Sequence, residues 1–512
     1  VRAPSSVLPL ALALVAGLGQ AFSIASPWNG HPQWWLQLLS LAMLAGVLLR
    51  ASSWRQAALA GWLFALAWLA GTWWWLFISM HVYGGLAAPL AVLAVLALAA
   101  FLGLYYALAA ALFALARERG GVLRAFAFAG TWLLAELMRA TLFTGFPWGA
   151  GGYAHVDGPL AALAPSIGVY GIGFVSALIA YELATLARLR PRASTRAWLG
   201  FAITAGAVLA CNAIAPRDEA PAGRKLSIAL LQGNIPQDEK FEPGSGVPLA
   251  LEWYAQQLQE TQASLTVTPE TAIPVLPQQL PPNYQEAVVA RFRDGEHAAL
   301  IGIPLGSFDE GYSNSVLGFA AGQKGYRYDK HHLVPFGEFI PPLFKWFVRM
   351  MNIPLGDFNR GALPQPPFLW AGERLAPNIC YEDLFGEEIA ANFADASRAP
   401  TIFVNMSNIG WFGDTVAIDQ HLAISRMRAI EFHRPVIRAT NTGATAIVDA
   451  DGRVTRLLPR LTRGVLAGEV QGRTGITPYA AWLARLGLAP LWLVALAAAA
   501  LALVPASRKG RP

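Results

Sequence analysis

Three residues in this 512-residue chain, each set at the end of an apolar run, have the types that covalent chemistry needs: a cysteine, a glutamate and a lysine. Cys380 closes the stretch Arg374-Leu-Ala-Pro-Asn-Ile-Cys380 and is followed by the acidic Tyr381-Glu-Asp383. A strand-to-helix turn at that point would expose the thiol beside main-chain N–H groups that favour the thiolate. Glu270 ends another run in Thr268-Pro-Glu-Thr-Ala-Ile-Pro274. Lys330 stands in Tyr326-Arg-Tyr-Asp-Lys-His-His-Leu-Val-Pro-Phe-Gly-Glu-Phe-Ile-Pro341, which also brings Glu338. A cysteine that attacks a carbonyl needs a base for its proton, and a cation or N–H donors where the oxyanion forms. Glu270 suits the base and Lys330 the cation. Glu382 would by itself raise the pKa of so close a thiol, so a neighbouring lysine is required if Cys380 is to react near neutral pH. The ordinary fate of a free cysteine is inert burial; the glutamate and lysine stretches are what argue for reactivity.

No metal or cofactor is expected. His331 and His332 are adjacent and lack ligand spacing, and the chain carries no glycine-rich phosphate loop. A Cys-His protease arrangement would need an Asn or Asp partner that one sequence does not assign.

The elements that must hold these residues divide in two by composition. The chain is 55% hydrophobic and 14% charged, against about 25% charged in a soluble domain, which calls for membrane spans. Apolar runs near 7–25, 34–50, 56–79, 86–116, 122–143, 164–189 and 197–215 predict seven transmembrane helices over residues 1–215, and 481–505 predicts an eighth. Arginines cluster after the second, fourth and sixth runs, at Arg50 and Arg55, at Arg117, Arg119 and Arg124, and at Arg188, Arg190, Arg192 and Arg196. The links after the first, third and fifth runs carry neither Lys nor Arg. By the positive-inside rule the N-terminus is cytoplasmic, and the basic tail 506–512 returns the C-terminus to the same side. The net charge of +6 is thus spent on topology, and no nucleic-acid partner is expected. Glu136 and Arg139 fall within the fifth run, where charge is costly unless functional or snorkelling. Trp34-Trp35 and Trp73-Trp74-Trp75 fall at run ends, as interface anchors do.

Residues 216–480 read differently. Short β-like runs (226–231, 263–267, 298–303, 315–319, 401–404, 436–439, 444–448 and 465–470) alternate with helical patterns such as 248–262 and 419–431. That alternation predicts an α/β domain outside the cytoplasm. Cys211 lies in an apolar run, so no disulfide framework is expected and Cys380 is a free thiol.

Glu in Pro-Glu, Lys in Lys-x-x-Leu-Val-Pro-Phe-Gly-Glu and Cys in Ile-Cys-Tyr-Glu, in that order, resemble the nitrilase (carbon–nitrogen hydrolase) superfamily. Within it they resemble the bacterial apolipoprotein N-acyltransferase family, as do Leu231-Gln-Gly-Asn-Ile-Pro-Gln237, Asn405-Met-Ser-Asn-Ile-Gly-Trp-Phe-Gly413 and the stretch from Arg426 to Gly443. The resemblance implies an αββα sandwich outside an eight-helix membrane domain in the bacterial inner membrane. It implies a Glu270–Lys330–Cys380 triad, with Glu338, Tyr381 and Glu382 supporting the site and Phe241, Asn405, Ser407 and Asn408 shaping it. It also implies transfer of an acyl chain from a phospholipid, phosphatidylethanolamine, through a cysteine thioester. The acceptor is the α-amino group of a diacylglyceryl-cysteine at a lipoprotein N-terminus. Thr268 and Phe241 stand where that family usually has Trp, which bears on packing and acyl fit. Two other readings stay open: a membrane-anchored amidase with water as acceptor, and a transporter or scaffold without activity.

The stretch 339–355 carries Phe344, Trp346 and Phe347, with Lys345 and Arg349 four apart. It reads either as a core helix or as an arm in the outer interface that admits lipid to the site. The charge pattern makes a topological prediction. A reporter fused at Gly472 should behave as exported and one at Arg192 as cytoplasmic; the reverse pair would overturn the span count.

Overall fold

The computed structural model describes residues 7–187, 206, 221, 223–293, 295–307, 309–323, 325–340 and 358–504. Two compact units divide the chain. One takes Val1–Trp74, Pro89–Ala215 and Leu486–Pro512, the other Trp75–Ala88 and Pro216–Arg485.

The first unit is helical because its Leu- and Ala-rich runs leave no main-chain group for water to satisfy, and in lipid a helix bonds all of its own. Four helices are long and apolar enough to cross a membrane: Val7–Ile24, Ala88–Glu118, Gly121–Thr144 and Pro159–Leu186. Counting each of two bent pairs as one span raises the number to six among the described residues, short of the eight expected. The differences have local causes. Trp34–Leu48 has 15 residues, about 22 Å of helix against a hydrocarbon core of about 30 Å. The run 56–79 stops being a regular helix at Trp73, and 481–505 breaks at Gly487, whose φ is +55°, between Pro478–Leu486 and Ala489–Leu503. The 197–215 run with Cys211, Arg188, Arg190, Arg192 and Arg196, and the tail beyond 504 all lie outside the described residues. Small residues bring these helices together, as in membrane packing generally: a Cβ on Gly17 would collide with the Phe64 carbonyl oxygen.

Glu136 and Arg139 neither snorkel nor sit exposed. Both are buried and ion-paired at 3.3 Å, and the Tyr106 hydroxyl donates to Glu136 at 2.7 Å. Arg139 also donates to the carbonyls of Phe146 and Trp148 at 2.6 and 2.9 Å, and Gly151 N–H donates to Glu136 at 3.1 Å. The pair therefore staples the loop that follows its own helix. Trp73 and Trp75 are likewise buried rather than interfacial.

The second unit is built on two six-stranded sheets. In the first, β1 (Leu226–Gln232), β2 (Leu265–Val267) and β3 (Ala298–Ser307) run parallel. Antiparallel β4 (Gly311–Ala320) and β5 (Tyr326–Asp329) continue it past β3. In the second, β6 (Phe368–Trp370) pairs antiparallel with β7 (Glu373–Ile379), which runs parallel to β8 (Ile402–Ser407) and β9 (Val436–Thr440). Antiparallel β10 (Ala446–Val448) and β11 (Val454–Leu457) complete that sheet. Finally β12 (Gly464–Val470) crosses back to pair with β1. The parallel strands are buried on both faces and so read as continuous apolar runs rather than alternating ones.

Between the sheets Ile228, Leu230, Val267 and Leu300 meet Leu375, Val404, Ile437 and Ile447. The outer face of the first sheet packs helices Gly246–Glu260 and Tyr284–Ala290 through Tyr254, Leu258 and Val288. On the second, Phe403 of β8 meets Phe393 and Phe432, the latter on helix Ala417–Phe432. The layers are αββα, as expected.

Trp75–Ala88, although flanked by apolar helices, belongs to this unit rather than to the expected 1–215 domain. Trp75 donates to Gln420 at 3.1 Å and its ring lies 4.2 Å from that of Phe412. Tyr83 meets Trp411 edge-on at 5.8 Å.

One glycine is demanded by the site's architecture. A Cβ on Gly302 of β3 would collide with the Pro269 carbonyl oxygen and press on Glu270 Cα, both of them backbone. Gly302→Val should therefore displace the Glu270 turn, costing about 1–3 kcal/mol of stability and most acyl-enzyme formation. Thermal unfolding and single-turnover assays of the variant check this.

Candidate active site

Glu270, Lys330, Cys380 and Asn408 all sit just past the C-terminal ends of strands: β2, β5, β7 and β8 respectively. This edge is where open α/β sheets place their ligands. Three of the connecting residues have left-handed backbone, with φ of 45° at Thr271, 63° at Phe336 and 54° at Cys380 itself. Non-glycine residues held there carry strain, which turns a side chain outward at a strand end.

The centre of the cluster is the Lys330 ammonium, 1% exposed. It donates to Glu270 at 3.3 Å and to Glu338 at 2.9 Å. Asn314 of β4 bridges the same two carboxylates at 2.7 and 2.9 Å. The second oxygen of Glu270 accepts the Asn408 N–H at 2.8 Å, and that of Glu338 accepts the Val334 N–H at 2.8 Å. Burial alone would lower the pKa of Lys330, but Glu270 and Glu338 win and push it well up. In return, although burial opposes it, Lys330 and then Lys240 hold the Glu270 carboxyl below the usual carboxylate range. Glu270 is thus held ionised and Lys330 held as a cation.

Cys380 behaves otherwise than its turn suggests. Burial first, and Glu270 second, push its thiol well up, and Lys330 and Arg438 offset only part of this. The segment after it, Cys380–Leu384, is a single 3₁₀ turn rather than a helix able to favour the anion. The expected bias of the turn toward the thiolate is therefore outweighed by burial and by the Glu270 charge. A thiol held protonated in this way needs a base for its proton if it is to attack a carbonyl.

The residues around this cluster differ in what they touch. Glu382 reaches back to accept the Ile379 N–H at 2.6 Å and forward to the His331 N–H at 2.6 Å, with the Tyr328 hydroxyl donating at 2.8 Å. It ties the cysteine turn to the lysine turn, and burial pushes its carboxyl up to about 7. Tyr381 is packed against the rings of His332 and Phe385 at 5.6 and 5.2 Å. Phe241 is half-exposed, its ring 5.7 Å from the Lys240 nitrogen. Thr268 is buried and its hydroxyl accepts the Gly302 N–H at 3.0 Å, which makes it a continuation of the β2–β3 pairing.

Behind Cys380 lies a polar network in which sequence reading named Asn405 and Ser407 and missed Asp383, His421 and Arg438. Asn405 donates to the Cys380 carbonyl at 3.3 Å and to Asn378 at 2.6 Å, and accepts from Ser407 at 2.6 Å and Arg438 at 2.8 Å. Arg438 donates to His421 Nδ1 at 2.7 Å, so the ring proton is on Nε2, directed at the Cys380 carbonyl (3.1 Å) and Asp383 (2.9 Å). Asp383, His421 and Arg438 come from three separate elements, and only the polarity of otherwise apolar runs marks them. Asn408 belongs to a second set, its side chain donating to Gln237 at 2.8 Å and accepting from Asn441 at 3.2 Å. Phe344, Trp346 and Phe347 of the arm expected to admit lipid lie outside the described residues.

An αββα sandwich carrying a cysteine, a glutamate and a buried lysine at strand ends defines a carbon–nitrogen hydrolase-type domain acting through a thioester. Residues 227–479 match the carbon–nitrogen hydrolase family model, and residues 16–181 match that of the apolipoprotein N-acyltransferase N-terminal domain. An apolipoprotein N-acyltransferase of Verminephrobacter eiseniae is 58% identical over 95% of this chain and 94% of its own length. One of Ralstonia nicotianae is 47% identical over 99% and 95%. A solved carbon–nitrogen hydrolase of Helicobacter pylori aligns over 48% of this chain and 89% of its own at 16% identity and a TM-score of 0.37, too distant to bear on the site. The chain belongs to the apolipoprotein N-acyltransferase family.

The cluster predicts a graded loss. Cys380→Ala should abolish both acyl-enzyme and product. Glu270→Gln and Lys330→Ala should each lose activity by about three orders of magnitude or more, because members of one catalytic unit fail together. Cys211→Ala should be near silent. Single-turnover kinetics followed by intact mass measures all four.

Proposed function

We propose that this membrane protein transfers an acyl chain from a phospholipid to the α-amino group of a diacylglyceryl-cysteine at a lipoprotein N-terminus, with Cys380 as the carrier. Family membership supports the reaction. The observation that carries the residue assignment is the Lys330 ammonium buried between Glu270 and Glu338, at the strand edge where Cys380 ends β7.

In the first half-reaction the Cys380 sulfur attacks the ester carbonyl carbon of the phospholipid while its proton moves to Glu270. Negative charge gathers on the carbonyl oxygen, where Lys330 and main-chain N–H groups supply the compensating field. The C–O bond then breaks, and Glu270 returns the proton to the departing lysophospholipid oxygen. In the second, the lipoprotein amine attacks the thioester carbon, Glu270 takes the N–H proton, the C–S bond breaks and the thiol is restored. Glu270 ends each half as it began, ionised against Lys330. Phosphatidylethanolamine is the proposed donor.

The arginine pattern supports an inner-membrane orientation with both termini cytoplasmic and the sandwich in the periplasm. The domain division proposed is a membrane domain over 1–215 and 481–505, less the Trp75–Ala88 segment, and a catalytic domain over 216–480.

Purified protein incubated with phosphatidylethanolamine should gain the mass of one acyl chain on Cys380. Adding a lipopeptide with a free α-amine should discharge it into an N-acylated product. Discharge into free fatty acid at the same rate, with or without the amine, would instead make the protein a hydrolase.

A further inference from the structure

The site contains a second buried lysine that neither the motifs nor the triad assigns. Lys240 is 2% exposed and follows the Leu231–Gln237 stretch on a loop closed by main-chain bonds from Glu239 to Pro236 and from Glu242 to Glu239. Its ammonium donates to the main-chain carbonyl of Glu270 at 3.1 Å. Lys330 has two carboxylates against its head, whereas among the described residues Lys240 has no salt-bridge partner. Stripping an ammonium of water against a neutral carbonyl is unfavourable. A residue kept for packing alone would be Met or Leu, so the charge itself needs a reason.

That reason lies in the charges around it. Glu270 is faced by Lys330, Lys240, Asn314 and the Asn408 N–H, with Glu338 across Lys330. Cys380 is faced by Glu270, Lys330, Arg438 and Asp383, and Lys240 in turn faces both Glu270 and Cys380. Lys330 alone sets one positive charge against two carboxyl groups, beside a thiol that is already hard to deprotonate. Lys240 adds a second. Its bond to the Glu270 carbonyl also fixes the main chain of the base, while Asn408 fixes its side chain.

We propose that Lys240 is a further positioning residue of the acyl-transfer site, fixing the Glu270 main chain and supplying the second positive charge that balances Glu270 and Glu338. The inference rests on the reading of Glu270 as the base. Burial brings Lys240 down to about 8, so it remains mostly charged at neutral pH. Its influence on Glu270 is that of a nearby cation, which lowers a carboxyl pKa by about a unit or more.

The test compares full-length wild type, Lys240→Met and Lys240→Arg in mixed micelles with phosphatidylethanolamine. The rate of acyl-enzyme formation is followed by intact mass from pH 3 to 9, alongside thermal unfolding. Lys240→Met should move the acid limb of the profile, which in wild type lies below the usual carboxylate range, up by about one pH unit, cutting the rate on the acid side of that limb by about tenfold. Lys240→Arg should keep the wild-type limb. An acid limb for Lys240→Met that coincides with wild type, whether or not the melting point falls, would overturn the proposal, because a purely structural role moves stability and not the limb. An Arg variant shifted as far as Met would overturn it too. Should Lys240→Met not fold, Lys240→Gln is read by the same criteria. Failure of the wild type to form any thioester would sink the acyltransfer reading instead, so the two failures are distinct.

Discussion

The catalytic unit depends on one buried ion cluster. The Lys330 ammonium is almost wholly removed from water, a condition that costs several kcal/mol unless the charge is matched and fully hydrogen-bonded. Glu270 and Glu338 provide the match, and Asn314 closes the ring between them. The arrangement makes each member what the chemistry needs: a lysine that does not deprotonate and a glutamate that stays ionised although buried. Removing any one partner would leave an uncompensated charge in a low-dielectric site, so the Glu270–Lys330–Glu338 cluster is itself a folding constraint.

Fold and site are coupled through strand ends. β2, β5, β7 and β8 deliver Glu270, Lys330, Cys380 and Asn408 to one edge of the sandwich, and Glu382 ties the lysine turn to the cysteine turn through main-chain N–H groups. The left-handed backbone at Cys380 is held by donors behind it, from Asn405 and from His421 in its Arg438-fixed tautomer, both aimed at the Cys380 carbonyl. The strain is thus paid for by a network reaching into β8, β9 and the helix Ala417–Phe432.

The triad was legible because each member follows an apolar run and stands in a distinctive local context, and because strand–helix alternation marks an α/β domain. What escaped is what depends on tertiary structure. Asn314 lies within a strand, where nothing local distinguishes it from a surface residue. Asp383, His421 and Arg438 are spread over about 55 residues and meet only when β7, β9 and a helix pack. Lys240 stands in a loop beside Phe241, with nothing local to mark it as buried. Hydropathy could not tell that Trp75–Ala88 belongs with the catalytic unit, since a segment packing aromatics on a protein surface is as apolar as one in lipid. It also read 481–505 as one helix across Gly487, whose left-handed φ divides it. The thiol's protonation was misjudged for a related reason: a strand-to-helix turn was taken to favour the anion, while burial and the Glu270 charge outweigh it.

The central claim is that Cys380 rests as a neutral thiol because it is buried and because Glu270 is ionised beside it, and that the same carboxylate is its proposed base. The most direct measurement is the fraction of Cys380 thiolate against pH, by ultraviolet absorbance of the thiolate in a Cys211→Ala background, with and without Glu270→Gln. The account predicts that wild type shows no thiolate through neutral pH, and that Glu270→Gln ionises at a lower pH than wild type while forming less acyl-enzyme. A wild-type thiolate already present at pH 7, or an ionisation unmoved by Glu270→Gln, would contradict it.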